Sequence, residues 1–202
     1  MIFVTGAARS GTTLITRMLE ACGADLGNCG GLAEHMPFKN RVLKPYLRKN
    51  GADCMGQSPL PDWENLSPYP ELYEDTMRYA GDADVIKDVK TALIWPRMVE
   101  AFPDAKWLIV YRHPDKIAES CMRTKFMMKL HSHEAWKEWA EHYHSCCEEL
   151  RKVADTKTVI TSEVIADVTA LEEVAEWLGL EFNEKAVKRC IRKDKWHGDK
   201  TE

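Results

Sequence analysis

Met1-Ile-Phe-Val-Thr-Gly6-Ala-Ala8-Arg9-Ser10-Gly11-Thr12-Thr13-Leu-Ile15 opens the chain, and the fold turns on how this stretch is read. Met1 to Val4 are apolar and form a short buried strand. Gly6 to Thr13 form a glycine-bounded loop, and Leu14 to Ala21 continue as an amphipathic helix. A strand, a glycine-rich turn and a helix start are the parts of an anion cradle. The backbone N–H groups of the loop, Ala8 among them, and the positive end of the helix dipole address the same spot. Gly6 and Gly11 let the backbone turn tightly and approach an anion. Ser10, Thr12 and Thr13 add hydroxyl donors, and Arg9 adds a permanent positive charge.

The loop departs from a nucleotide-binding Walker loop at one position. Gly6 and Gly11 have the G-x-x-x-x-G spacing, but Thr12 stands where the lysine of that motif belongs, and the cation comes earlier, at Arg9. A second strand-like run, Lys106-Trp-Leu-Ile-Val-Tyr111, leads into Arg112-His-Pro-Asp and a helix that carries Ser120. Pro114 suits a helix's first turn, and Asp115 complements its dipole. A guanidinium fork at a strand end, with a hydroxyl eight residues on, is suited to holding a phosphate dianion.

A cation followed by Ser-Gly-Thr-Thr resembles the 5′-phosphosulfate loop of sulfotransferases that use 3′-phosphoadenosine 5′-phosphosulfate. Arg112 and Ser120 resemble the 3′-phosphate site of the same family. Lys87-Asp88 with Phe102-Pro-Asp-Ala-Lys106 is similar to the "KDPR … FPDAKF" run of bacterial members, Val89 standing where the proline is usual. Thr158 to Ile165 and the stretch to Leu180 resemble the family's "YEDL … FLGL" segment, with Ser162 in place of its tyrosine. Arg192 and Lys193 resemble the start of a C-terminal Arg-Lys-Gly segment that closes over the 3′-phosphate, with Asp194 replacing the glycine. The resemblance runs in order from Met1 to about Leu180. It implies an α/β, P-loop-like three-layer sandwich with a central parallel sheet flanked by helices. It also implies sulfuryl transfer from 3′-phosphoadenosine 5′-phosphosulfate to a hydroxyl or amine of a small molecule or carbohydrate, leaving 3′-phosphoadenosine 5′-phosphate.

On this reading Gly6, Ala8, Arg9, Ser10, Gly11, Thr12, Thr13, Arg112, Ser120, Arg192 and Lys193 hold the donor. Arg9 also meets the charge that grows on the leaving phosphate. Glu34 occupies the place of a glutamate that follows the first helix in bacterial relatives, and it is the first candidate for general base, with His35 second. A histidine titrates near neutrality unaided, whereas a glutamate needs burial to raise its pKa. Lys87 is the candidate to stabilise the sulfuryl oxygens; a strand-end surface lysine is the plainer reading of it. A transferred sulfuryl group carries less charge than a phosphoryl group, so no metal is required. Phosphoryl transfer would recruit Mg²⁺ through a strand-end acid, for which Asp88 and Glu163 are the candidates. A kinase with a displaced cation, or a nucleotide-binding protein without catalysis, are the alternatives.

Composition agrees with one domain over residues 1–202, with 23–84 as an acceptor-binding insertion or cap. The 45% hydrophobic content can fill the core of a 202-residue chain. A net charge of −4 speaks against a nucleic-acid binder, because non-specific binding needs a basic face. Seven cysteines without framework spacing read as reduced thiols. No apolar run reaches the length of a membrane span, and the first strand leaves no room for a signal peptide, so a cytoplasmic protein without a membrane partner is expected. Strands near 84–87, 106–111 and 157–161 alternate with helices, which argues for a parallel sheet with ligands at its carboxyl ends. His131, His133, His142, His144, Cys146 and Cys147 raise the question of a metal. Only His142 and Cys146 have the helical i,i+4 spacing, while Trp136, Trp139, Tyr143 and Leu150 make the same helix a core element. Trp63, Tyr69 and Tyr73 serve either as stacking faces for an acceptor ring or as packing.

Overall fold

The chain forms four strands: β1 (Ile2–Thr5), β2 (Val85–Lys87), β3 (Lys106–Tyr111) and β4 (Asp155–Ile160), the first three largely apolar and the fourth polar until Val159. All pairings are parallel, in the order β2-β1-β3-β4. Ile2 faces Val85 on one side and Lys106 on the other, and Tyr111 faces Ile160 at the far end. The computed structural model describes residues 1–191.

Side chains alternate across each strand, so a sheet covered on both faces must be apolar on both. Phe3, Ile86, Trp107 and Ile109 point into one core, and Ile2, Val4, Val85, Leu108 and Val110 into the other. The first core is closed by α3 (Lys44–Lys49), α4 (Leu72–Ala80), α5 (Trp95–Ala101), α6 (Pro114–Met122) and α7 (His133–Arg151). The second is closed by α1 (Thr12–Ala21), α8 (Thr161–Ala166), α9 (Glu172–Leu178) and α10 (Glu184–Cys190). These are the three layers that the alternation of strands and helices implies.

Local signals fix several of these elements. Pro114 is the first residue of α6, and His113 caps it, Nδ1 accepting from the Asp115 amide at 3.3 Å. Ser132 caps α7 through the Ala135 amide at 3.1 Å. The apolar stripe of α7 is buried, and its Trp139 Nε1 and Tyr143 hydroxyl both donate to the Gly56 carbonyl at 3.0 Å. Residues 23–84 therefore pack into the same core through Phe38, Leu47, Leu66 and Leu72. In this region a helical run starts with α2 (Met36–Phe38), passes through a π-helical turn (Lys39–Leu43) and continues as α3. Trp63 lies against Trp95, Tyr69 against Tyr46 and Tyr73 against Phe102, with ring centroids 5.0–5.4 Å apart, so all three pack. All seven cysteines are free thiols. Among the described residues no group of three His, Cys, Asp or Glu is arranged to hold a metal, and no helix is long and apolar enough to cross a membrane.

Candidate active site

The loop between β1 and α1 is pressed onto the carboxyl ends of β3 and β4. A Cβ on Gly6 would sit 2.3 Å from the Val110 carbonyl oxygen, and one on Gly11 2.5 Å from Thr161 Oγ1. Both glycines also have positive φ, 136° and 102°. Their first task is thus to seat the loop against the sheet. Thr161 Oγ1 completes the seating by donating to the Ser10 carbonyl at 2.6 Å. Arg9 takes the left-handed conformation at φ 70°, which throws its side chain across to α6, where Nε donates to Ser120 Oγ at 3.0 Å. Arg112, at the end of β3 and 7% exposed, donates from Nη1 to the Arg9 carbonyl at 3.3 Å. The two strand-end motifs of the sequence are therefore one structure.

Above the loop lies a cleft of about 500 Å³. Arg9, Arg17, Arg112 and Arg123 line it with Thr12, Thr13 and Ser120, while Leu14, Leu32, Ile165 and Ile191 supply apolar wall. Among the described lining residues there is no carboxylate, in a chain whose net charge is −4. The start of α1 has no side-chain cap and no acidic residue in its first turn, so its dipole adds positive potential. Arg17 is partly neutralised by Glu20 at 2.7 Å. Burial, with repulsion from Arg123, holds the Arg9 guanidinium below its ordinary value despite the opposing pull of Cys121. Such a cavity suits a ligand carrying more than one negative charge.

A second cluster adjoins the first. Glu34, 7% exposed, is paired to Lys39 through Oε2 and to Lys87 through Oε1 at 3.6 Å. Burial pushes its carboxyl up, but Lys90, Lys87 and Lys39 together outweigh this and hold it below the usual value. Burial lowers the Lys87 ammonium, against the pull of Glu34. Lys87 Nζ and Thr13 Oγ1 both donate to the Leu32 carbonyl, each at 3.1 Å, and this oxygen joins the two clusters. Asp88 is fully buried and accepts from the Lys90 ammonium at 2.6 Å and from the Lys90 amide at 3.0 Å. It caps the 3-10 turn Val89–Ile94, which occupies the place of the missing proline.

The structure brings together Arg9, Gly11, Thr12, Thr13, Arg112 and Ser120 around the cleft, with Gly6, Ala8 and Ser10 in the loop beneath. Glu34 and Lys87 stand next to them. His35 is turned away: 2% exposed, it caps α2, with Nδ1 accepting from the Phe38 amide at 3.4 Å, and it also has a backbone hydrogen bond at Ala80. Burial lowers its pKa against that bond. Glu163 is exposed on α8. Arg192 and Lys193 lie outside the described residues. Thr161, Arg17, Arg123 and Lys39 join the site without having been singled out by any motif. Arg17 had a legible signal, since it lies one helical turn beyond Thr13 on α1.

The family model described as "Sulfotransferase family" matches residues 2–184. No curated protein matches the sequence. Among solved structures, the chain is similar to the sulfotransferase STF9 from Mycobacterium avium, at 16% identity and a TM-score of 0.50, covering 94% of this chain and 66% of that one. It is also similar to the sulfotransferase STF1 from Mycobacterium tuberculosis, at 13% identity and a TM-score of 0.49, covering 94% of this chain and 70% of that one. With a loop, a strand-end arginine and a fold of this kind, matched by the family model over most of its length, the chain belongs to the sulfotransferase family.

Proposed function

We propose that this chain transfers a sulfuryl group from 3′-phosphoadenosine 5′-phosphosulfate to a hydroxyl of a small molecule or carbohydrate. The observation that carries the reading is the cleft lined by four arginines, without a carboxylate among the described lining residues, over an uncapped helix start. A nucleotide with a 5′-phosphosulfate and a 3′-phosphate matches that charge. The Ser10 hydroxyl fits it too: it is buried beside Gly6 and lacks a hydrogen-bond partner among the described residues. A phosphate oxygen in the loop would satisfy that donor.

When bound, the donor supplies an activated sulfuryl group whose leaving group is a phosphate. Thr12, Thr13 and the loop amides hold the 5′ end, and Arg112 with Ser120 holds the 3′-phosphate. Arg9, anchored by Ser120, meets the charge that grows on the departing phosphate oxygen. Glu34 takes the proton of the acceptor's hydroxyl as the acceptor oxygen bonds to sulfur and the sulfur–oxygen bond to the phosphate breaks. For this the contact with Lys39 opens, which relieves part of the charge holding the Glu34 pKa down, and Oε2 turns to the acceptor. Lys87 holds Oε1 throughout. His35 serves by fixing the loop that presents Glu34. Residues 23–84, which contribute Gly31 and Leu32 to the cleft, supply the acceptor side.

Calorimetric titration with 3′-phosphoadenosine 5′-phosphate and, separately, with ATP and Mg²⁺ tests this. Micromolar binding of the bisphosphate without heat from ATP is expected. Tight ATP binding with no heat from the bisphosphate would replace the reading with phosphoryl transfer.

A further inference from the structure

The last residue of α6 and its connection to α7, residues 122–132, read Met-Arg-Thr-Lys-Phe-Met-Met-Lys-Leu-His-Ser and contain no acidic residue. Three large apolar side chains on it face solvent: Met122 at 51%, Phe126 at 45% and Met128 at 68% exposure. Arg123, Lys125, Lys129 and His131 are exposed among them, and none of the four makes an ion pair among the described residues. Elsewhere surface cations are commonly matched, as in Lys116–Glu119, Lys137–Asp115 and Arg151–Glu148. An open groove of about 420 Å³ runs along the segment, floored by buried Met127 and Trp136.

This display is built rather than loose. The Gln57 side chain, 5% exposed, donates from Nε2 to the Phe126 carbonyl at 2.8 Å and accepts at Oε1 from the Met128 and Lys129 amides at 3.0 and 3.2 Å. One buried amide thus ties down the backbone of three residues, Phe126, Met128 and Lys129, while Phe126 and Met128 face outward. Leaving two such side chains in water forgoes the stabilisation that burying them would give.

We propose that this segment is a docking surface for a bilayer that contains anionic lipid. Apolar side chains interleaved with cations meet the two demands of such an interface: the former enter the acyl boundary and the latter meet the headgroups. A second copy of this chain fits the surface poorly, because a twofold contact would set Arg123, Lys125 and Lys129 against their own counterparts. The expectation of no membrane partner rested on the absence of a spanning run, and lying on a bilayer needs none. Arg123 lines both this groove and the arginine cleft, so a docked molecule would meet acceptors of the lipid surface close to the cleft. The docking itself does not depend on which reaction the cleft supports.

Sedimentation with vesicles of phosphatidylcholine alone, and of phosphatidylcholine with phosphatidylglycerol, tests the assignment on the whole chain. Binding to the anionic vesicles and not to the neutral ones is expected. Each cation removed from an anionic surface weakens binding roughly fivefold, so Lys125→Gln with Lys129→Gln should weaken it by about 30-fold. Phe126→Ser with Met128→Ser, at exposed positions that spare the core, should also release the protein. Failure to bind anionic vesicles would overturn the proposal, as would binding that survives the Phe126→Ser, Met128→Ser change. A dimer in light scattering that this change dissolves would assign the surface to a second copy instead.

Discussion

Holding a residue with a Cβ in the left-handed region costs on the order of 1 kcal/mol, and Arg9 is held there at φ 70°. The strain makes sense only if the guanidinium is needed where it lands, against Ser120 and inside the cleft. Arg9→Ala and Arg9→Gly should both lower turnover of the donor by roughly 10²-fold or more. The glycine variant should nevertheless be the more stable of the two by about 1 kcal/mol in thermal melts; equal melting would show that no strain is stored there. Glu34 makes a second case. Its carboxyl is kept below the usual range because Lys90, Lys87 and Lys39 outweigh its burial. Lys39→Met should therefore raise the Glu34 pKa, visible as an upward shift of the side-chain carboxyl titration by carbon-13 NMR and of the acid limb of the rate profile. A carboxyl titration that does not move would remove Lys39 from the site. Arg9, Arg112 and Ser120 were legible in the sequence because each sits at a fixed offset from a strand end. Lys39 was not, because Glu34 lies just outside the helix that begins after the His35 cap, and a pair five residues apart across a helix start has no spacing rule to announce it.

At the scale of elements, the loop, the end of β3 and the start of α8 act as one clamp. Thr161 is fully buried, and its hydroxyl meets the Ser10 carbonyl at 2.6 Å. Thr161→Val keeps the shape and strands a buried carbonyl, a change that costs about 1–3 kcal/mol. Calorimetry on that variant should also show weaker binding of 3′-phosphoadenosine 5′-phosphate, since the loop loses its tether; unchanged affinity would mean that the glycine contacts alone seat it. The strands were legible to within two residues: β1, β2 and β3 because buried parallel strands read as apolar runs, and the edge strand β4, polar at its start, only from its β-branched end. Helix α6 was legible from Pro114, and α7 from its apolar stripe. Thr161 escaped notice because it is the first residue of α8, where the sequence shows only another threonine after a strand. The aromatic residues Trp63, Tyr69 and Tyr73 admitted two readings, since composition does not tell a ring stacked on a ligand from one stacked on Trp95, Tyr46 or Phe102.

Across the whole molecule the sheet sorts charge as well as side chains. The chain carries −4 overall, yet four arginines gather at the carboxyl end of the sheet, which a net charge alone does not reveal. Titration of the buried groups then sets how the fold responds to acid. His144 on α7 packs at a tilt against Tyr111 of β3 with centroids 4.6 Å apart, and burial pushes it down to about 4, against a smaller pull from Glu148. Burial lowers His142 as well. An unfolded histidine titrates near ~6.5, so between about 6.5 and 4 the unfolded chain binds a proton that the folded His144 refuses. Stability is therefore fully present above pH ~6.5 and falls as the pH drops towards 4. Glu34, with its folded pKa lowered, contributes in a separate window: its stabilisation is present above ~4.3 and is lost only below that, as the pH falls through its folded pKa. His144→Phe keeps an aromatic ring against Tyr111 and removes the proton site. Thermal melts of the two proteins between pH 7 and 4 should diverge, the wild-type chain losing stability faster than the variant and both then falling together below pH ~4. Parallel curves over the upper range would show that His144 takes up its proton as freely in the folded protein as in the unfolded chain.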